Sequence, residues 1–305
     1  ASGNVTLNTA TNNFQGAVAI DGVNVIVVDA GAIDLGASTV TGTYAVTATA
    51  GGDITDSGVL TITGESTFKA ASGQNVTLDS TSTFSSDVNF TTASGNLANV
   101  TVTDTNDFEI QALTLSGNLD VISTGGSITD DGALAITGTS SFTTSASNED
   151  ITLDTTTNAF TGALTLTTND DSGADADVTI DGGTTKLIIA ASTIDGDLTI
   201  RTGNAADTSG ITDSGTVTVG GNLSVTNDVD NGDIDMGTLA VTGSITLTTQ
   251  GSGGNAAVVD ASALDLAAST IGGTLNATAT AGDITDSGQL LSLIHISEPT
   301  RRTPI

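Results

Sequence analysis

The block Ile54-Thr55-Asp56-Ser57-Gly58 returns three times: Ile128-Thr129-Asp130-Asp131-Gly132, Ile211-Thr212-Asp213-Ser214-Gly215 and Ile284-Thr285-Asp286-Ser287-Gly288. The steps are 74, 83 and 73 residues. Other landmarks keep the same stride. Val5-Thr6-Leu7 matches Val76-Thr77-Leu78 and Ile151-Thr152-Leu153, and Phe14, Phe84 and Phe160 follow those blocks. The longest match pairs residues 32–40 with residues 263–271. A fixed period of this kind marks a chain built by stacking one unit on the next. About four ~75-residue super-repeats fill the chain.

Inside each unit the apolar residues alternate with threonine, as in Leu60-Thr61-Ile62, Leu164-Thr165-Leu166 and Val217-Thr218-Val219. Period two is strand patterning, and the 58 threonines suit a pleated, half-buried surface. Gly-Gly, Gly-Asn, Asp-Gly and Ser-Gly pairs end the runs and mark turns. No stretch of ten residues carries a helical apolar period. Eight aromatic residues are too few for propeller blades, and a sandwich has no reason to repeat four times. The expected fold is all-β: a single right-handed parallel β-helix, or β-solenoid. Coils of ~20–25 residues rising ~4.8 Å each make 12–14 coils and a rod of roughly 60 Å. Phe14, Phe84 and Phe160 should then line up along the axis.

The net charge of −30 argues against binding a phosphate backbone, so no nucleic acid is expected. No apolar run reaches the ~20 residues of a membrane span. The absence of cysteine excludes a disulfide scaffold, a thiolate metal site and a thiol nucleophile.

Residues 50–58 (Ala-Gly-Gly-Asp-Ile-Thr-Asp-Ser-Gly), Gly221-Asn222-Leu223-Ser224-Val225-Thr226 and Asn158-Ala159-Phe160-Thr161-Gly162-Ala163-Leu164 resemble the repeats of large bacterial exoproteins of the filamentous-haemagglutinin type. The resemblance covers residues 1–290. It implies a right-handed β-helix, secreted or held at the bacterial cell surface. It also implies export through a partner outer-membrane transporter, and adhesion to host-surface or matrix glycans or proteins by other parts of a longer protein. Residues 291–305 depart from the pattern and hold both prolines (Pro299, Pro304), the sole histidine (His295), Arg301 and Arg302. Residues 291–301 resemble a translated sequencing-library adaptor. The expected organisation is therefore a β-solenoid segment over 1–290 and a non-native tail over 291–305. Ala1 begins in mid-repeat, without the charged and apolar regions of a signal peptide.

Catalytic chemistry is poorly provided for. The basic residues before the tail are Lys69, Lys186 and Arg201, far apart in sequence, and sugar clefts usually carry more aromatic platforms than this chain offers. No enzyme activity is expected; a carbohydrate-active β-helix enzyme is the first rival reading. Thr-x-Thr pairs (Thr47/Thr49, Thr61/Thr63, Thr101/Thr103, Thr246/Thr248) suggest an ice-binding solenoid as the second, but their spacing is uneven. No cofactor is expected, with calcium the one candidate cation. Its candidate ligands are Asp228, Asp230 and Asp233, in a run one residue short of an EF-hand loop and lacking its final acidic ligand. Asp170, Asp171, Asp175 and Asp177 form a second acidic run. Aspartates also build turns through their own backbone, and the four Ile-Thr-Asp blocks are expected to place theirs at one corner of successive super-repeats.

Overall fold

Alternation of period two turns into short strands that pair only with strands one coil away. A computed structural model describes residues 3–169, 175–183, 185–203 and 210–292. Among the described residues there are 35 strands and no helix. The pairings between strands are parallel and give two 16-stranded sheets and one three-stranded sheet. The chain is a right-handed parallel β-helix of about 13 turns. Alternate residues point inward: Val25, Val27, Val46, Phe68, Leu78, Val121 and Ile200 are fully buried. Threonine fills most outward positions.

Each coil has two unlike sides. One is a long strand, such as Val25–Asp29, Tyr44–Ala48, Ser66–Ala70 or Val88–Thr92. The other is a bent pair of short strands, such as Ile33–Leu35 with Ser38–Val40, or Ile54–Asp56 with Leu60–Ile62. In the third coil the bent pair fuses into Val76–Phe84. Four long strands and three bent pairs make one super-repeat, seven half-coils in all.

Because seven is odd, the next super-repeat starts on the opposite side. Long strand Val100–Asp104 stacks on the bent Val76–Phe84, through Val100↔Val76 and Asp104↔Ser82. Bent pair Phe108–Ile110 and Leu113–Leu115 stacks on long strand Val88–Thr92. The exchange recurs where Leu164–Thr167 meets Ile189 and Thr193, and where Ser244–Gln250 meets Asp265, Leu266 and Thr270.

This half-turn overturns the expected line of phenylalanines. Phe84 pairs with Ile62 on one side, whereas Phe160 pairs with Ile136 on the other. Six of the eight aromatics instead form two internal clusters. Phe68 meets Tyr44 and Phe84 edge-on and stacks on Phe90, with centroids 6.0 Å apart in each case. Phe142 and Phe160 meet edge-on at 6.3 Å. Separations of this size suit aromatic pairs.

The regular register also runs past residue 290. Strand Leu290–Ser292 pairs with Ser269–Ile271, so Leu291 and Ser292 belong to the last coil. Its outer edge leaves Leu290 and Leu291 exposed. Residues 293–305, with His295, Pro299, Pro304, Arg301 and Arg302, lie outside the described residues.

Candidate functional site

A straight strand laid over a bent pair cannot match every backbone N–H, and an unmatched buried N–H costs about 1–3 kcal/mol. The super-repeat junctions meet this cost with two side chains. The first is an aspartate ending the first long strand of each super-repeat: Asp29, Asp104, Asp181 and Asp260, all largely or fully buried. Asp29 accepts the N–H groups of Phe14 and Gly31, each at 2.7 Å. Asp104 Oδ1 accepts those of Phe84 at 3.0 Å and Thr105 at 2.6 Å. Asp181 accepts from Gly183 at 2.7 Å. Asp260 accepts from Val241 at 3.3 Å and Ser262 at 2.8 Å. The sequence offered a signal for them, since they recur at steps of 75, 77 and 79 residues, close to those of the Ile-Thr-Asp block.

The second is a serine opening the second arm of the bent pair. Ser38, Ser192 and Ser269 accept the N–H groups of Ile20, Leu166 and Leu247 at 2.9, 3.0 and 3.0 Å. Between the first two complete super-repeats Leu113 stands in the serine's place. There the long strand and the bent pair above it join only through Val88↔Ile110 and the bridge Leu97↔Leu115. Leu113 lines a small opening of about 250 Å³ with Phe90 and Leu97. A separate groove of about 460 Å³ lies at the other end of the Val88↔Ile110 pairing, lined by Phe84, Asp87, Val88, Asp104, Phe108 and Glu109 among others. Burial pushes the Asp104 carboxyl up to about 6, against the pull of the N–H groups of Phe84, Thr105 and Asn106.

The aspartates of the Ile-Thr-Asp blocks serve the bend of the coil above. Asp56 accepts the N–H of Ser80, Asp130 that of Asp154, and Asp213 those of Gly237 and Thr238. Burial raises the Asp56 carboxyl to about 6 and that of Asp130 in the same direction. They do not share one corner: Asp56 and Asp213 lie in one large sheet, Asp130 and Asp286 in the other, for the half-turn reason given above. The glycines that end these blocks have a common duty. A Cβ on Gly58, Gly132, Gly215 or Gly288 would strike Ala37, Ala112, Ala191 or Ala268 one coil below.

A third ladder runs where strands begin. Asp150, Asp177, Asp197 and Asn222 accept in turn the N–H of the equivalent residue one coil on, from Asp177, Asp197, Asn222 and Ser244, at 2.6–3.0 Å. Asn99 and Asn118 do the same for Asn118 and Thr139 on the opposite side. Asp177 of the second acidic run is thus a ladder residue, whereas Asp170 and Asp171 lie outside the described residues.

Two of the three candidate calcium ligands are directed to separate partners. Asp228 pairs with Arg201 at 2.7 Å and takes an amide N–H from Gln250, and Asp233 accepts the N–H of Asn255. Asp230 closes the strand Leu223–Asp230 in an exposed position. Among the described residues no three His, Cys, Asp or Glu side chains are grouped closely enough to hold a metal ion. Lys69 and Arg201 lie six strands apart in one sheet, and Lys186 precedes Leu187–Ile189 in the other. Outward threonines form one column, Thr129, Thr152, Thr179 and Thr199, continued by Ser224 and Thr246. The neighbouring column starts with Asp181 and Arg201, so no two-column threonine face forms there.

The family model described as repeats of unknown function (DUF5649) matches residues 22–91, 97–167 and 253–292, more than half of the chain. The chain belongs to this family. The first two matched segments coincide with the first two super-repeats as the strand exchange defines them, so each of these matches spans one seven-half-coil unit. The third begins just before the junction strand Ala256–Asp260. No curated protein and no solved structure matches the chain.

Proposed function

We propose that this DUF5649 segment is a structural stalk of a large secreted bacterial surface adhesin, giving reach and display rather than catalysis. The observation that carries the reading is the investment of polar side chains. The buried and ladder aspartates, asparagines and serines described above are spent on backbone N–H groups of the same or the next coil. That is the economy of a chain selected for stacking. The resemblance to filamentous-haemagglutinin repeats supports export through an outer-membrane transporter, with host or matrix glycans or proteins bound elsewhere in the full protein.

The test joins shape to chemistry. Small-angle scattering of the whole chain should give the profile of a rod of roughly 60 Å. Incubation with acidic and neutral polysaccharides should leave them intact. Cleavage that persists through purification would replace the stalk with a carbohydrate-active enzyme.

A further inference from the structure

The groove at the first junction is open to solvent, and its chemistry is one-sided. Phe84, Val88 and Phe108 close its floor. Asp87, Asp107 and Glu109 stand exposed around it, and no basic residue lines it. Asp107 Oδ1 accepts the N–H of Ser127 at 3.0 Å, and Glu109 Oε1 accepts from Gln111 Nε2 at 3.0 Å. Each carboxylate has about four acceptor sites, so these bonds leave capacity to spare.

A second observation is independent of this acidic rim. Asp104 also lines the groove and is 0% exposed, and its Oδ2 is a buried oxygen with no hydrogen-bond partner. A buried, unsatisfied carboxylate oxygen calls for a donor.

The acids are spread along the groove and do not converge on a point, which disfavours a metal ion. Donors spaced along an apolar backbone fit instead. From this we infer that the groove binds a linear aliphatic polyamine, its ammonium groups on Asp87, Asp104, Asp107 and Glu109 and its methylenes over Phe84, Val88 and Phe108. This goes beyond the stalk reading and survives or fails separately from it.

Calorimetry of the full chain with spermidine at low salt should show one saturable site. The double variant Asp107→Asn/Glu109→Gln should weaken it about tenfold, the loss expected for two partly exposed charge pairs. Asp87→Asn alone should give a smaller loss. The control Asp150→Asn/Asp177→Asn removes the same charge from the ladder and should leave affinity unchanged. Amide and carboxylate oxygens both accept hydrogen bonds, so the substituted positions keep their backbone partners. Equal weakening by both double variants would mean diffuse counterion binding and overturn the site. So would displacement by magnesium at matched ionic strength. A lysine-rich peptide that binds at this groove more tightly than spermidine would overturn the polyamine assignment.

Discussion

The carboxylate of Asp104 holds the backbone N–H of Phe84 at 3.0 Å, across the level where a straight strand crosses a bent one. Asp29 and Asp260 hold the N–H groups of Phe14 and Val241 in the same way, so the bond marks the boundary between super-repeats. Its loss should be costly. Asp104→Ala should destabilise the chain by about 1–3 kcal/mol, because buried N–H groups lose their acceptor. Asp104→Asn keeps an acceptor and should cost less. Urea unfolding of both variants separates the outcomes, and equal stability of Asp104→Ala and the parent chain would remove the junction role.

The same residue gives a pH signature. Its folded pKa of about 6 lies above the ordinary carboxylate value of 3.8, so the folded state binds the proton more tightly than the unfolded state. Its contribution is therefore greatest below 3.8 and falls away as pH rises through 6. Asp56, raised to about 6 by burial, acts in the same window. The stability difference between the parent and Asp104→Asn should change with pH only between about 4 and 6, by at most about 1.4 kcal/mol per pH unit. A difference that is flat across that window in urea titrations at stepped pH would refute the assignment.

Ser192→Ala should cost about 1–2 kcal/mol, since the buried N–H of Leu166 loses its hydroxyl partner. Ser269→Ala should behave alike through Leu247. Ser141→Ala, at an outward position, should stay within about 0.5 kcal/mol of the parent. Thermal melts of the three variants decide whether the junction serines stabilise more than ordinary surface ones.

Gly58→Ala tests the close approach of neighbouring coils. The added methyl meets the backbone N of Ala37, which cannot move aside as a side chain could. A loss of about 1–3 kcal/mol is expected, the range for overpacking. Gly16→Ala, with open space around its position, is the control and should be near neutral. Melting temperatures that fall equally in both would count against coil-to-coil contact as the cause.

With thirty-five carboxylates facing five basic side chains, self-repulsion opposes the compact state. Added salt should raise the melting temperature by screening. Asp228 and Asp233 are turned to separate partners, and no three acids among the described residues are grouped to hold a metal ion, so sodium and calcium should stabilise equally at equal ionic strength. A distinct calcium increment at millimolar concentration would restore that loop as a metal site.

Period-two alternation and recurring blocks were enough to read the solenoid from sequence. They identify inward residues such as Leu60 and Ile62 because a strand's two faces alternate whatever lies beside it. The side on which a strand lies was not legible. That depends on whether a run such as residues 76–84 counts as one half-coil or two, which only the pairing decides. Hence the misplaced line through Phe14, Phe84 and Phe160. The junction aspartates were hidden for a related reason. Asp29 and Asp104 look like any turn-forming aspartate until a strand is seen crossing the bend beneath them. The groove was invisible because it lies between residues 84–88 and 104–109, which only the stacking of coils brings together.

An odd number of half-coils makes the rod a pseudo-twofold screw. Two super-repeats, seven coils or roughly 34 Å, bring a surface feature back to its starting direction, and one alone points it the opposite way. Gain or loss of a single repeat by recombination would leave the core in register yet rotate everything beyond it by half a turn. Repeat number in such a chain therefore sets the azimuth of whatever it carries as well as its distance.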